Sequence, residues 1–283
     1  MVQKKGKYTV ITGASSGIGY ETAKAFAGRG KNLIIAARRK DNLEMLKKEI
    51  LEERPDVDVV IRSTDLSVSE NVYQLYEGLR DYEIETWVNN AGFGNYDSVA
   101  GQDLDKISMM LNLNIEALTI LSSLYVRDYK DVEGTQLINI SSAGGYTIVP
   151  TAVTYCAAKF YVSTFTEGLA WELKETGAKM KAKVLAPAAT KTEFGMVANN
   201  VREYDYDKSF GTYHTGKQMA GFLLELYDSE NVVGMVDRET FSFRLAEPLF
   251  PYAAVCFFPR QAGRTDNGNY LESGGISRGN MLT

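Results

Sequence analysis

Short runs of apolar residues alternate with longer amphipathic segments along most of the chain. Six of these runs predict β-strands, at 8–12, 32–37, 58–62, 86–89, 135–141 and 181–186, and 232–244 is a candidate for a seventh. Their Val, Ile and Leu content is typical of strands that are buried on both faces of a parallel sheet. The intervening segments have the periodicity of helices, at 17–27, 41–53, 69–80, 104–129, 154–176 and 216–227.

This alternation predicts an α/β fold, a doubly wound parallel sheet of about seven strands with helices on both faces, in a single domain. Ligands of such sheets bind at the carboxyl edge of the strands. The last twenty-five residues, 259–283, hold five glycines and little apolar periodicity. We therefore expect a domain over 1–258 and a polar, glycine-rich C-terminal tail over 259–283.

Composition and charge exclude several classes of protein. With 31 Lys and Arg against 36 Asp and Glu, the net charge is −5, whereas nucleic-acid-binding domains are usually basic. The two cysteines, Cys156 and Cys256, cannot form a disulfide framework and favour a reducing compartment. The single histidine, His214, argues against a His-based metal site or a Ser–His triad. The longest nearly apolar stretch, 249–258, is too short to span a bilayer. We expect a soluble, cytoplasmic protein that binds no nucleic acid, membrane or metal.

A glycine-rich turn joins the first predicted strand to the first predicted helix. Its glycines are Gly13, Gly17 and Gly19. A turn of this kind can place backbone N–H groups and a helix N-terminus against the pyrophosphate of a dinucleotide. The spacing is G-x-x-x-G-x-G and not the general dinucleotide-binding pattern, so a glycine-rich connector without a ligand remains an alternative.

The end of the second predicted strand bears on which dinucleotide is bound. Ala37 is followed by Arg38 and Arg39, and no carboxylate occurs before Asp41. An acid near this position bonds the ribose 2′-hydroxyl of NAD(H), whereas arginine accommodates the 2′-phosphate of NADP(H). NADP(H) is therefore favoured over NAD(H). The alternative is that both arginines belong to a solvated loop.

Three side chains have the pattern of an acid/base site. Tyr155 and Lys159 are four residues apart on a predicted helix, so they project from one face. A nearby ammonium favours the phenolate and brings tyrosine closer to the range of a useful acid or base. Ser142 follows a predicted strand at the carboxyl edge of the sheet, where its hydroxyl can bond a carbonyl oxygen.

Together these motifs resemble the short-chain dehydrogenase/reductase family in its single-domain form. They are the turn from Thr12 to Gly19, the segment Asn89-Asn90-Ala91-Gly92, Ser142, and Tyr155-x-x-x-Lys159. Their order and spacing agree with the family over about residues 6–245. The resemblance implies a Rossmann-like fold and an NAD(P)-dependent oxidoreductase that interconverts a carbonyl and a secondary alcohol.

The resemblance also implies roles for individual residues. Tyr155 is the expected acid/base, and Lys159 lowers its pKa and holds the nicotinamide ribose. Ser142 orients the substrate carbonyl. Asn114 matches the family asparagine that holds a water in the proton relay, and it fits the pattern better than the neighbouring Asn112.

The expected cofactor site combines the glycine turn, the two arginines and positions given by the resemblance, among which Asp65 matches the residue that contacts adenine. Two departures affect it: Ser16 stands where many NADP-linked members have a basic residue, and Pro187-Ala188 replaces the family's Pro-Gly. Arg38 must then do more of the phosphate recognition, with Ser15 and Arg39. The expected cofactor-binding residues are Gly13, Ser15, Ser16, Gly17, Ile18, Gly19, Arg38, Arg39, Asp65, Leu66, Asn90, Ala91, Gly92, Tyr155, Lys159, Pro187, Thr190 and Thr192.

Aromatic and apolar residues near these motifs suggest a hydrophobic carbonyl or alcohol substrate, although their packing within loops is an alternative. The candidates are Phe93, Tyr96, Tyr146, Val149, Phe194 and Met196. A dinucleotide-binding regulator without turnover, an NAD-linked alcohol dehydrogenase and an epimerase or dehydratase of the related extended family are the competing functions. Family members are commonly homodimers or homotetramers built on the helices here predicted at 104–129 and 154–176.

Overall fold

The computed structural model describes residues 5–253 and contains an eight-stranded sheet. Its strands are β1 (Lys5–Thr12), β2 (Asn32–Ala37), β3 (Val59–Ser63), β4 (Tyr82–Asn89), β5 (Gln136–Ile140), β6 (Lys181–Ala186), β9 (Val233–Val236) and β10 (Phe243–Ala246). They lie in the order β10-β9-β6-β5-β4-β1-β2-β3, and every pairing is parallel except that of β10 with β9. Two short strands, β7 (Thr190–Lys191) and β8 (His214–Thr215), pair separately.

Helices cover both faces of the sheet, as the sequence predicts. They are α1 (Gly17–Gly28), α2 (Lys40–Glu53), α3 (Ser69–Glu77), α4 (Leu104–Leu111), α5 (Leu118–Tyr129), α6 (Val153–Glu175), α7 (Phe194–Asn199), α8 (Tyr206–Phe210) and α9 (Gly216–Asp228). Adjacent residues of β1 enter different core clusters: Ile11 packs with α1, α2 and α9, whereas Val10 packs with α3, α5 and α6. The doubly wound fold is confirmed.

Two predicted elements differ from the structure. The candidate strand at 232–244 is a hairpin, because β9 and β10 are joined by a tight turn at Asp237–Ser242 and run antiparallel. The predicted helix at 104–129 is interrupted by a π-helical turn over Asn112–Ala117, between α4 and α5. The first difference adds an eighth strand to the predicted seven. The second changes the direction of the side chains at Asn112 and Asn114.

The segment Leu104–Tyr129 is long and apolar enough to cross a membrane by length and composition. Its residues nevertheless contribute to the core: Leu121 and Tyr125 are almost fully buried beside the central strand β4. A core helix of a soluble protein accounts for the same pattern.

The chain divides into two units, Met1–Phe250 and Pro251–Thr283. The predicted boundary at residue 258, the tail at 259–283, the second half of the apolar stretch 249–258 and Cys256 lie outside the described residues.

A buried lysine joins the sheet to the end of α9. Lys183 on β6 is 1% exposed, and its Nζ donates to the carbonyl oxygens of Leu226, Tyr227 and Ser229 at 2.8, 2.9 and 2.6 Å. These are carbonyls at the helix C-terminus, where a positive charge is favourable. Burial lowers the pKa of Lys183 from 10.5 to about 8.

Replacing Lys183 with methionine should lower the free energy of unfolding at neutral pH by about 2 kcal/mol, because three buried carbonyls lose their donor. Between pH 8 and 10.5 the unfolded wild type binds more protons than the folded form, so wild-type stability rises with pH relative to the variant. Urea unfolding of both proteins at pH 7 and 10 tests this. If the difference in unfolding free energy between wild type and variant became smaller from pH 7 to pH 10, the interpretation would be wrong.

Candidate active site

The glycine-rich turn leaves no room for side chains. Gly13 and Gly17 have φ angles of 67° and 59°, in the left-handed region that favours glycine. A Cβ at Gly13 would lie 2.7 Å from the Cα of Ala91, and one at Gly17 would lie 3.1 Å from the Cβ of Thr192. The turn therefore brings the start of α1 close to the residues that follow β4 and β7.

The end of β4 holds this turn in place. The Nδ2 of Asn90 donates to the carbonyl oxygens of Thr12 and Gly13 at 2.9 and 3.1 Å, and the Thr12 hydroxyl accepts from the N–H groups of Asn90 and Ala91. A Cβ at Gly19 would collide with the Asn90 side chain. Asn90 and Gly19 thus position the turn.

One cavity of about 850 Å³ runs along the carboxyl edge of the sheet and joins most of the predicted site. The predicted residues that line it are Gly13, Ser15, Ser16, Gly17, Ile18, Arg38, Arg39, Asp65, Leu66, Asn90, Ala91, Gly92, Phe93, Tyr96, Ser142, Val149, Tyr155, Lys159, Pro187, Thr190, Thr192 and Phe194. Gly19 and Asn114 do not line the cavity but contact Asn90 and Phe93, which do. Tyr146 and Met196 do not reach it.

At one end of the cavity, both predicted phosphate-binding arginines face acidic side chains. Arg38 Nη1 lies 3.8 Å from Asp65 Oδ2, beside a smaller hollow that also involves Asn71 and Gln74. Arg39 Nη2 donates to the Ser16 hydroxyl and to Glu193, each at 2.7 Å. Arg39 therefore connects the glycine turn to the residue that precedes α7. Ser15 also accepts from Arg39.

The acid/base candidates converge near the middle of the cavity. Tyr155 and Lys159 are each 6% exposed, and Lys159 Nζ donates to the Ile140 carbonyl at 2.8 Å and lies 6.0 Å from the centre of the Tyr155 ring. Ser142 faces the Tyr155 hydroxyl, and its own hydroxyl accepts from the N–H of Gly144 at 3.0 Å. The three side chains point into one space, from the end of β5 and the first turns of α6.

The electrostatic environment differs from the expectation that Lys159 lowers the pKa of Tyr155. Burial raises the pKa of Tyr155 above its ordinary value, and the hydrogen bond with Ser142 acts in the opposite direction. Burial also lowers the pKa of Lys159 from 10.5 to about 8. Tyr155 is therefore protonated at neutral pH, which suits a proton donor.

Asn114 supports the wall from the π-helical turn. Its Nδ2 donates to the Phe93 carbonyl at 2.8 Å, and its Oδ1 accepts from the Phe93 N–H at 3.1 Å. The Oδ1 would also lie 2.9 Å from a Cβ at Gly92, so only glycine fits there. Asn114 holds the segment that carries Gly92 and Phe93 beside Lys159.

Tyr146 is held away from the cavity by a buried carboxylate on α6. Its hydroxyl donates to Glu167 Oε1 at 2.6 Å, and its ring stacks on Phe250 at 5.4 Å. The other oxygen of Glu167 accepts from the N–H groups of Leu249 and Phe250 at 2.6 and 2.8 Å. These contacts tie the loop after Ser142 to the end of the first unit.

The residues present fit a dinucleotide cofactor. Ser16, the N-cap of α1, makes no side-chain capping bond, and Ser16, Gly17 and Ile18 line the cavity at this helix N-terminus. A helix start with free N–H groups is a site for phosphate oxygens. The arginines lie at the same end of the cavity, and Tyr155 and Lys159 lie further along it.

Comparison with known proteins identifies the family. A family model described as short chain dehydrogenase matches residues 7–203. An uncharacterized oxidoreductase of Staphylococcus saprophyticus is 31% identical over 191 residues, which cover 67% of this chain and 76% of that protein. The chain belongs to the short-chain dehydrogenase family.

Solved structures of short-chain dehydrogenases have the same fold. That of Sphingobium yanoikuyae, in complex with NADPH, has a TM-score of 0.74 and 28% identity, and the alignment covers 81% of this chain and 87% of that one. A bulky-bulky ketone specific alcohol dehydrogenase from Comamonas testosteroni has a TM-score of 0.69 and 27% identity, with 81% and 85% covered. This short-chain dehydrogenase is an NAD(P)-dependent oxidoreductase that acts on CH–OH groups.

Several cavity residues of this short-chain dehydrogenase were missed by reasoning from the sequence. They come from α4, from the region around α8 and from the β9–β10 hairpin, and those with large side chains include Lys106, Met109, Tyr204, Tyr206, Phe210, Arg238 and Phe241. The aromatic spacing at 204, 206 and 210 was an available signal. Arg238 and Phe241 gave none, because the sequence predicts a continuous strand there.

Proposed function

We propose that this short-chain dehydrogenase uses NADP(H) in preference to NAD(H) and interconverts a bulky hydrophobic ketone and the corresponding secondary alcohol. The observation that carries the proposal is the convergence of Tyr155, Lys159 and Ser142 in an aromatic cavity that continues to Arg38 and Arg39. The ketone specificity named for the Comamonas testosteroni protein supports a substrate of this class.

When bound, the reduced cofactor supplies a hydride for the carbonyl carbon. The side chains of this protein then act on the carbonyl oxygen. The Tyr155 hydroxyl donates its proton to that oxygen, and the Ser142 hydroxyl stabilises the negative charge that develops on it. Lys159 would hold the ribose hydroxyls of the cofactor through its ammonium group. Asn114 keeps the opposite wall in place through its two bonds to Phe93.

The preference for NADP(H) rests on the two adjacent arginines. Arg38 faces the hollow beside Asp65, and Arg39 faces the glycine turn through Ser15 and Ser16. A ribose 2′-phosphate carries nearly two negative charges, and a guanidinium can bond it with two N–H groups. The acids that face these arginines are the groups that the phosphate must replace.

The rate should depend on pH through Lys159. Its pKa of about 8 means that the free enzyme loses the ammonium charge as the pH rises through this value. We expect kcat/KM for NADPH to be constant below about pH 8 and to fall above it, because kcat/KM reports ionisations of the free enzyme. In Lys159→Met, kcat/KM should be lower overall and should not fall further above about pH 8. If the fall above pH 8 persisted in this variant, another group would have to be responsible for the ionisation.

The function is tested by titrating the intrinsic fluorescence with NADPH and NADH and then following NADPH oxidation with a panel of aryl and alicyclic ketones. Binding together with turnover of at least one ketone supports the proposal. Binding without turnover of any ketone or oxidation of any corresponding alcohol favours the regulator. Tighter binding of NADH would move the protein to the NAD-linked alcohol dehydrogenases.

We propose further that the protein is a cytoplasmic homodimer or homotetramer with a catalytic domain over 1–258 and an appended tail over 259–283. Large apolar side chains on α4 and α6 are exposed in the single chain, among them Leu104, Val153 and Tyr161. An assembly through these helices would bury them. Light scattering after size-exclusion chromatography gives the number of subunits, and a monomer at micromolar concentration would contradict the assembly.

A further inference from the structure

The two ends of the cavity differ in how their charges are paired. At the cofactor end, the carboxylates that line it among residues 5–253 are Asp65 and Glu193, and each faces an arginine. At the other end, Lys106 and Arg238 line the cavity, and neither forms an ion pair in the part of the chain that the structure describes. The substrate end therefore carries positive charge without acidic partners.

Arg238 is placed by a well-defined turn. The backbone N–H of Asp237 donates to Ser242 O at 2.9 Å, and that of Phe241 donates to Asp237 O at 3.0 Å. Asp237 Oδ1 accepts from the N–H groups of Glu239 and Thr240, so this carboxylate is engaged by the turn itself. The turn follows the carboxyl end of β9, which is the edge of the sheet that carries the active site.

Aromatic side chains line the cavity beside the reacting group. The Tyr96 ring lies 6.1 Å from the Tyr155 ring and 6.3 Å from the Phe194 ring. Burial raises the pKa of Tyr96 to about 12, and the positive charge of Arg238 opposes this rise. Arg238 lines the same cavity as Tyr96 and Tyr155.

Lys106 contributes a second cation from another element. Its Nζ donates to the carbonyl oxygen of Val197 at 3.0 Å, which links α4 to α7. An ammonium has three hydrogens, so two remain available for a ligand. Arg238 is exposed and Lys106 is half-buried. Because two cations from separate elements line one cavity, together they attract an anion more strongly than either does alone.

We propose that the substrate is a bulky ketone or alcohol that carries a carboxylate remote from the reacting carbon, and that Arg238, with Lys106, binds this carboxylate. The inference rests on the proposed function. A guanidinium matches a carboxylate through two parallel N–H bonds. The apolar frame of such a molecule packs against Tyr96 and Phe194, which leaves its carbonyl near Tyr155.

Two matched pairs of ketones test this proposal: 4-benzoylbenzoate with 4-benzoylbenzamide, and 4-acetylbenzoate with 4-acetylbenzamide. Each pair has the same frame and differs in one negative charge. At low ionic strength we expect kcat/KM to favour the carboxylate by about tenfold in at least one pair, and the preference should decrease with added salt. In Arg238→Gln the ratio within that pair should fall to about twofold or less, and Lys106→Gln should lower it to a smaller extent.

Arg244→Gln is the matched control, because Arg244 is exposed on the same hairpin and does not line the cavity. It should keep the wild-type ratio. Equal kcat/KM for carboxylate and amide in both pairs, or a ratio that Arg238→Gln leaves unchanged, would overturn the carboxylate site and leave the proposed function standing. Absence of turnover for all four ketones and for the neutral panel, with either cofactor, would instead contradict the proposed function and the inference with it.

Discussion

Replacing Tyr155 with phenylalanine should lower kcat for ketone reduction by about 10³-fold and leave the Kd for NADPH within about twofold. The ring is packed against Tyr96 and Phe194, at centroid distances of 6.1 and 5.5 Å, and phenylalanine keeps both contacts. Only the hydroxyl and its interaction with Ser142 are lost. The large effect on kcat follows because in the proposed reaction this hydroxyl gives its proton to the carbonyl oxygen.

Steady-state rates and fluorescence titrations of the same preparations separate chemistry from binding. Tyr161→Phe is a suitable control, because Tyr161 lies on the same helix, is 38% exposed and bonds Thr119 outside the cavity. This control should have wild-type kcat. If Tyr155→Phe kept more than a tenth of the wild-type kcat, another group would have to be the proton donor.

Replacing Arg38 with alanine should weaken NADPH binding by about tenfold or more and change NADH binding by less than about twofold. A charged hydrogen bond contributes about 1.5–3 kcal/mol. Because Arg38 is exposed to solvent, we expect its contribution to NADPH binding to lie toward the lower part of that range. The Arg38 side chain is 64% exposed, and its Nη1 lies 3.8 Å from Asp65 Oδ2. Because the side chain is exposed, it can turn toward a ribose phosphate without rearrangement of the backbone. NADH lacks the 2′-phosphate and has only a neutral 2′-hydroxyl there, so little binding is lost.

Lys40→Ala controls for the loss of one positive charge near the site. Lys40 follows Arg39 directly, is exposed and does not line the cavity, so its removal should affect the two cofactors equally and weakly. Fluorescence titrations at low and physiological salt give both Kd values. Equal weakening of NADPH and NADH by Arg38→Ala would mean that Arg38 acts through general electrostatics and not on the 2′-phosphate.

The central part of the fold and site could be predicted because it depends on local patterns. The β1 turn, its glycines and the start of α1 are contiguous, and i, i+4 spacing on α6 is enough to bring Tyr155 and Lys159 to one face. Ser142 follows a buried strand, so its place at the carboxyl edge is fixed by the parallel sheet. These are short-range consequences of sequence.

Features that depend on contacts between distant segments were not predicted. Tyr146 looks like a pocket residue by position, but Glu167 and Phe250 hold it elsewhere. The π-helical turn at Asn114 reflects its paired bonds to Phe93, which helical periodicity does not show. The β9–β10 turn, which carries Arg238, was not predicted, because the apolar residues of the two strands form one continuous pattern in the sequence.

The proposed reaction and cofactor preference are tested most directly by kcat/KM for NADPH and for NADH, measured with the same ketone and the same enzyme preparation. We predict that both cofactors are oxidised and that kcat/KM for NADPH exceeds that for NADH by about tenfold or more. An equal or reversed ratio would contradict the role of the arginines. No oxidation of either cofactor with any ketone of the panel would contradict the proposed reaction itself.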